Sequence, residues 1–317
     1  MNSGNLHTEI QLWLDRLNSL VDGEQASMRL VALGPAAIDP LRRFLLFGAP
    51  RGIFQPRQRA VEALAALGAK DALLEYLGQD EQISDPVVRH GEDAVRNTAA
   101  RLIARWQTDD VFQLLLSLAR RRLLPGVIFA LGEFRREEAL PHLDRALEDD
   151  VARPAAEEAF TKIGAAATEM LISSALRKAT KENQEVPSSL LRRRSAAKIL
   201  ADAELGQSSW ARLRALLDDS DPEIVVQAAR IAQAAGSESD KRAAVVVLLR
   251  ILPNAPWHVR EDVSRCLEAL FAIGKPFVEK EVARRMAVRP VERAHDGSLL
   301  LLLRLTERLT KRQARVR

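Results

Sequence analysis

A large apolar residue followed by glycine or another small residue recurs along this chain, at Leu33-Gly34, Leu67-Gly68, Ile103-Ala104, Leu131-Gly132, Ile163-Gly164, Leu205-Gly206, Ala235-Gly236 and Ile273-Gly274. Successive pairs lie roughly 28 to 42 residues apart, and a second apolar helical segment follows each, the pattern of stacked helical hairpins. A glycine after the last apolar position supplies the left-handed residue that ends a helix. The spacing therefore predicts an all-α chain whose units cannot bury both faces alone.

The units share an internal logic. In the second, Val61, Ala63, Leu64, Ala65, Ala66 and Leu67 form an alanine-dense helix, Gly68 stops it, and Ala72, Leu73, Leu74 and Leu77 carry the next helix. The fifth repeats the plan, with Ala155, Ala156, Ala159, Phe160 and Ile163 before Gly164, then Ala167, Met170, Leu171, Ala175 and Leu176. Alanine lets helix axes approach closely. Hydrophobic residues make up 47% of the chain but aromatics only 4%, which favours Leu/Ala helix packing over a β-rich fold.

Three segments resemble HEAT repeats, specifically the short type found in phycobilisome lyases. They are LGPAAIDPLRRFL (residues 33–45), ALGEFRREEALPHLDRAL (residues 130–147) and DDSDPEIVVQAARIAQAAG (residues 218–236). The Asp85-Pro86 and Asp221-Pro222 turns, each leading into a helix, match the same pattern. Proline suits the first turn of a helix and aspartate its positive end. The resemblance implies an α-solenoid of about seven or eight stacked hairpins. It is specific for fold and unspecific for function, because the matching residues are packing and turn residues.

The plan expected is a capping helix over residues 1–25, a repeat array over 26–286 and an amphipathic capping helix with a basic tail over 287–317, read as one elongated domain. Ile10, Trp13, Leu14, Leu17, Leu20 and Val21 give the first segment an apolar stripe rather than the profile of a signal peptide. In the last, Leu299, Leu302, Leu303, Leu305, Thr306 and Leu309 fall on one arc, and Arg304, Arg308, Lys311, Arg312 and Arg315 on the other. The longest aliphatic run, Leu299 to Leu303, is far below the roughly 20 residues of a membrane span. With no targeting segment or membrane-length run read in the sequence, a reducing cytoplasm is the expected compartment, and the lone Cys266, in an apolar helical run, is expected to be buried. The 38 arginines against 9 lysines suggest a GC-rich, bacterial coding sequence.

The net charge is +4, but six bases against Glu307 from Arg304 onward contribute +5, leaving −1 for the rest. A nucleic-acid groove needs its basic excess on the body of the protein. The clusters Arg120-Arg121-Arg122 and Arg192-Arg193-Arg194 read as solvated helix faces, or else as sites for a phosphate or an acidic partner. HEAT-like alkylpurine DNA glycosylases use tryptophans and a carboxylate. Trp106 with Asp110, Trp210 and Trp257 invite that comparison, but turn or core packing accounts for all three tryptophans.

No catalytic or metal motif stands out, and no cofactor is expected. His7, His90, His142, His258 and His295 are scattered without a second ligand at metal spacing. The His-Glu pairs of deoxyhypusine hydroxylase, a di-iron enzyme of similar repeats, are lacking, His90-Gly91-Glu92 being the nearest approach. What remains is a surface. Arg145, Arg177, Arg212 and Arg250 lie on second helices and are expected to form a guanidinium ladder suited to carboxylates. Ile53 and Phe54, in the irregular segment GAPRGIFQPR, read as exposed apolar contacts, and KENQEVPSS (residues 181–189) as a mobile polar loop. The sequence thus points to a non-catalytic protein-interaction scaffold whose partners are proteins, acidic ones fitting best, rather than nucleic acid or membrane. Its alternatives are a phycobilin-lyase-like or accessory enzyme component, then a nucleic-acid-binding repeat protein.

Overall fold

Aspartate and proline place two helix starts where the sequence predicts them. Asp85 Oδ1 accepts from the amide of Val87 at 2.8 Å and Asp221 Oδ1 from that of Ile224 at 3.1 Å, with Pro86 and Pro222 opening the helices behind them. A computed structural model of the chain describes residues 3–48, 53–79, 83–287 and 296–316. Nearly all of its regular structure is helical. The helices form two units, Met1–Ile163 and Gly164–Arg317.

The first unit contains α1 (Ser3–Arg16), α2 (Gly23–Ala32), α3 (Ile38–Phe47), α4 (Gln55–Ala66), α5 (Lys70–Gly78), α6 (Pro86–Ile103), α7 (Asp109–Arg121), α8 (Pro125–Phe134), α9 (Leu140–Ala146) and α10 (Arg153–Ile163). Within it α2, α4, α6, α8 and α10 pack successively in one layer, and α3, α5, α7 and α9 in a second. The core lies between the layers, where Leu41, Leu64, Leu73, Ile103, Phe112 and Leu131 are fully buried. The first helix lies against α2 and α3 through buried Ile10 and Leu14. The expected division at residue 25 falls inside α2.

The second unit holds α11 (Thr168–Leu176), a two-stranded hairpin of β1 (Thr180–Lys181) and β2 (Gln184–Glu185), α12 (Pro187–Asp202), α13 (Gln207–Leu213), α14 (Pro222–Ala235), α15 (Glu238–Ile251), α16 (Trp257–Ala269), α17 (Phe271–Met286) and α18 (Gly297–Val316). Here α12, α14 and α16 succeed one another in a row, and α15 packs on α17. Residues 181–189 are therefore not a structureless loop. Thr180 pairs with Glu185 and Lys181 with Gln184, and α12 begins at Pro187. The last helix packs on α16 and α17 through buried Leu299, Leu302 and Leu305, while Leu303, assigned to the same arc, is partly exposed. The side chains of Leu309, Lys311, Arg312 and Arg315 lie outside the described ones.

Five of the eight apolar-small pairs serve two purposes, while Gly206 and Gly236 keep negative φ. Gly34, Gly68 and Gly164 take φ of 73°, 75° and 70° and close the helices before them as predicted. Gly132 and Gly274 lie inside helices instead. A Cβ on Gly132 would meet the Ala159 Cβ at 2.6 Å, and one on Gly274 would meet Val245 at 2.9 Å, so these glycines permit close helix contact. The helix around Gly132 runs on to Phe134 and ends at Arg135, which is left-handed at φ 52°.

Candidate functional site

An α-helix leaves its last carbonyls unpaired and its C-terminus partially negative, so cations gather there. Much of the chain's arginine serves this purpose. Arg59 donates to the carbonyls of Leu17 and Ser19 at 3.1 and 2.9 Å, and Arg105 to that of Ala65 at 2.6 Å. Arg57 donates to Leu45 at 3.2 and 2.9 Å from Nε and Nη2, and its Nη1 pairs with buried Glu92. Tyr76 donates its hydroxyl to the same carboxylate at 2.5 Å, and burial, with Glu92 beside it, raises the phenol well above its ordinary range.

This use of arginine corrects the reading of the Arg192-Arg193-Arg194 cluster. It is neither a solvated face nor an open anion site, because Arg192 and Arg193 are 2% and 1% exposed. Arg192 donates to the carbonyl of Arg177 at 2.6 Å and Arg193 to that of Ala175 at 2.9 Å. Arg193 also pairs with Glu185 at 2.7 Å and with Asp219, while Arg194 holds both carboxylate oxygens of Asp221 at 3.1 and 2.5 Å. The cluster ties the hairpin and the turn before α14 to α12.

The other cluster contributes to a cleft in the first unit. Arg89, Glu92, Asp93 and Arg96 project from one face of α6 at helical spacing, opposite Leu118 and Arg121 of α7 and the extended link Arg122–Leu124. The cleft has a volume of about 210 Å³. Four guanidinium groups and two carboxylates line it, against apolar walls from Ile83, Leu118 and Leu124. Arg122 pairs with Asp93, and Arg96 is braced by the carbonyl of Gln79 at 3.0 Å and by Glu92 at 3.5 Å. Burial pushes the Asp93 carboxyl upward, against the pull of Arg122 and Arg96. Arg89, Arg121 and Arg122 are exposed, so positive charge faces solvent here beside apolar surface.

The residues singled out for partner contact fall in both units. Arg145, of the first unit, donates to the carbonyls of Ala119 and Arg120 and so neutralises the end of α7 that borders the cleft. In the second unit Arg212 pairs with Glu169 at 2.8 Å, Arg250 reaches Asp218 at 3.5 Å, and Arg177 is exposed just past α11. Ile53 is 52% exposed. Phe54 is only partly so, since it lies against α6 where a Cβ on Gly91 would meet its Cβ at 3.5 Å. Residues 49–52 of the same segment lie outside the described ones.

The tryptophans divide. Trp210 is buried and Trp106 half-buried in the α6–α7 turn, but Trp257 is 81% exposed at the start of α16, edge-on to His258, so packing does not account for it. Asp110 pairs with Lys70 at 2.8 Å, and this bond, with that of Thr108, holds its carboxyl down to about 2. Cys266 is buried, which pushes its thiol up to about 11. Among the described residues no cluster of three or more His, Cys, Asp and Glu is placed to hold a metal, and no helix is long and apolar enough to cross a membrane. Spacing marked the Arg120-Arg121-Arg122 side of the cleft. The α6 side was missed, though Arg89 and Arg96 seven residues apart were its available signal.

No family model matches the chain, and no curated protein matches it. Among solved structures it is similar to the crystal structure of an engineered protein, a structural-genomics target, at 15% identity over 94% of this chain and 99% of that one, with a TM-score of 0.35. A likeness this loose carries no argument about fold or function.

Proposed function

We propose that this chain is a non-catalytic scaffold, a HEAT-like α-solenoid whose surface docks acidic protein partners. The observation that carries the reading is the arginine-lined cleft between α6 and α7, where cationic groups face solvent beside apolar walls. Such a combination suits protein recognition, in which arginine supplies charge-assisted forks and neighbouring aliphatic groups exclude water. The hairpin layers within each unit and the left-handed glycines at Gly34, Gly68 and Gly164 support the repeat reading. Carbonyl capping by Arg57, Arg59, Arg105 and Arg193 explains why an arginine-rich body need not be a nucleic-acid surface.

Affinity purification of the chain from its native host, followed by mass spectrometry and absorbance spectroscopy, tests this. A stoichiometric protein partner with an acidic surface is the expected result. Co-purifying nucleic acid in its place would favour a nucleic-acid-binding protein, and a bound tetrapyrrole a lyase-like component; either would overturn the scaffold reading.

A further inference from the structure

We infer that this chain associates with copies of itself, the outer face of α18 in one copy docking on the α1–α2 hairpin of the next. The two faces are separate from the cleft, and their pairing goes beyond the scaffold reading without depending on it. Helices in the middle of a row are covered by neighbours on both sides. The large apolar residues of α8, between α6 and α10, and of α14, between α12 and α16, are accordingly buried or half-buried. The α1–α2 hairpin instead exposes Leu12, Leu20, Val21 and Met28, with Val21 89% open to solvent. In α18, Leu299, Leu302 and Leu305 face the core, while Leu300 and Leu303 are exposed.

The outer face of α18 forms one wall of a groove against α16, about 700 Å³ in volume and lined by Ser264, Gly297, Leu300, Leu301 and Arg304. The groove follows α18 from Gly297 to Arg308, about 16 Å of helix, which seats the edge of a partner helix as long as α1. Charge selects the occupant. In sequence α18 holds five bases against Glu307, a net +4, whereas residues 3–32 hold Glu9, Asp15, Asp22 and Glu24 against Arg16 and Arg29, a net −2. Each face repels its own like and attracts the other, so the contact is heterologous rather than between two identical faces. Exposed Asp15 and Glu24 lie one helical turn from Leu12 and Met28, and exposed Arg304 one turn from Leu300. The pairing thus has an apolar centre with opposite charges at its rim. An anionic membrane fits less well, because Glu307 lines the same groove and α18 carries no aromatic anchor.

Sedimentation velocity on the full chain, from about 1 to 500 μM, tests the pairing. The mean mass is expected to exceed that of one chain and to climb with concentration, as a heterologous contact requires. Leu300→Glu/Arg304→Glu and Asp15→Lys/Glu24→Lys should each weaken self-association at least about tenfold. Mixing the two variants brings the unaltered α18 of one against the unaltered α1–α2 hairpin of the other. A 1:1 complex should then form with the wild-type affinity, a recovery that misfolded variants would not produce. A wild-type chain that stays monomeric throughout, or no complex on mixing, would overturn the inference. So would undiminished self-association of either variant, which would mean that like faces pair. Pelleting of the monomeric chain with phosphatidylserine vesicles, lost in Leu300→Glu/Arg304→Glu, would assign the α18 face to a membrane and overturn it as well. Each of these outcomes leaves the scaffold reading, carried by the cleft between α6 and α7, where it stands.

Discussion

Arg193 donates from Nε to the main-chain carbonyl of Ala175 at 2.9 Å, although the two residues lie on different helices and the arginine sits inside a run of three. The same guanidinium meets Glu185 and Asp219, so one side chain satisfies a helix end and two carboxylates. Removing it leaves those carboxylates in a poorly solvated site. Arg193→Met should therefore destabilise the fold by about 3–5 kcal/mol. Arg212→Met, which breaks an exposed pair with Glu169, should cost less than about 1 kcal/mol. Urea denaturation of the two variants checks the contrast, and equal midpoints would show that Arg193 is not a structural tie.

The Arg57–Glu92 pair makes a second, coupled prediction. Because Arg57 is buried and Tyr76 shares the carboxylate, Glu92→Leu alone strands a cation, whereas Arg57→Met/Glu92→Leu removes both charges. The double variant should be more stable than the sum of the single losses predicts, by about 0.5–3 kcal/mol. A simple sum would mean that the charges do not act as a pair.

Tyr76 is the only tyrosine, which makes its titration readable. Burial, then Glu92, raises its folded pKa above the ordinary 10.0. The native state thus favours the protonated phenol, and the stability this contributes is full below pH 10.0 and is lost as pH rises past it. The ultraviolet phenolate band should therefore appear only together with unfolding. A band titrating near pH 10 in a chain with intact helical circular dichroism would contradict the burial of this ring.

Glycine substitutions should separate close approach from backbone freedom. Gly132→Ala places a methyl group against both the Cβ and the Cα of Ala159, at 2.6 and 2.7 Å, and should cost about 1–3 kcal/mol, of which adding Ala159→Gly recovers only a part. Gly68→Ala has open space around its Cβ but a φ of 75°, so its cost of about 1–2 kcal/mol comes from the backbone. The Ala159→Gly change should not relieve it. Thermal melts of the four variants decide between the two mechanisms.

The last helix is held by a chain of charges that acid should release. Arg285 is buried, donates to Glu281 at 2.7 Å and reaches Asp296 at 3.2 Å, and Asp296 accepts from the amides of Ser298 and Leu299 at 3.0 Å each, capping α18. The hydrogen bond from Arg284, with that from Arg285, holds the Glu281 carboxyl down to about 2 from an ordinary 4.5. A depressed folded pKa contributes stability that is full above 4.5 and is lost as pH falls toward 2. Hydrogen exchange around Leu302 and Leu305 should accelerate in that window before the rest of the second unit opens. Deleting residues 298–317 should lower the melting temperature and increase aggregation by uncovering α16 and α17. Exchange that is indifferent to acid, or a deletion without effect, would show that α18 is not a cap.

Local sequence determined the helices, several of their ends and the apolar faces. Asp85-Pro86 and Asp221-Pro222 cap because their geometry involves only adjacent residues. Gly68 stops a helix because φ is a property of one residue, and Leu299, Leu302 and Leu305 share an arc because the helical period is constant. The fate of the polar groups depends on distance instead. Arg193 is buried and Arg121 faces a cleft although both lie in runs of three arginines, because only packing decides which helix end or carboxylate comes within reach of a guanidinium. Gly132 reads like Gly68 in the sequence, yet its reason for being glycine is Ala159, 27 residues away and in contact only once α8 and α10 have packed. The cleft itself joins α6 to α7 and its link, so its charge was visible in pieces and its shape existed only after folding.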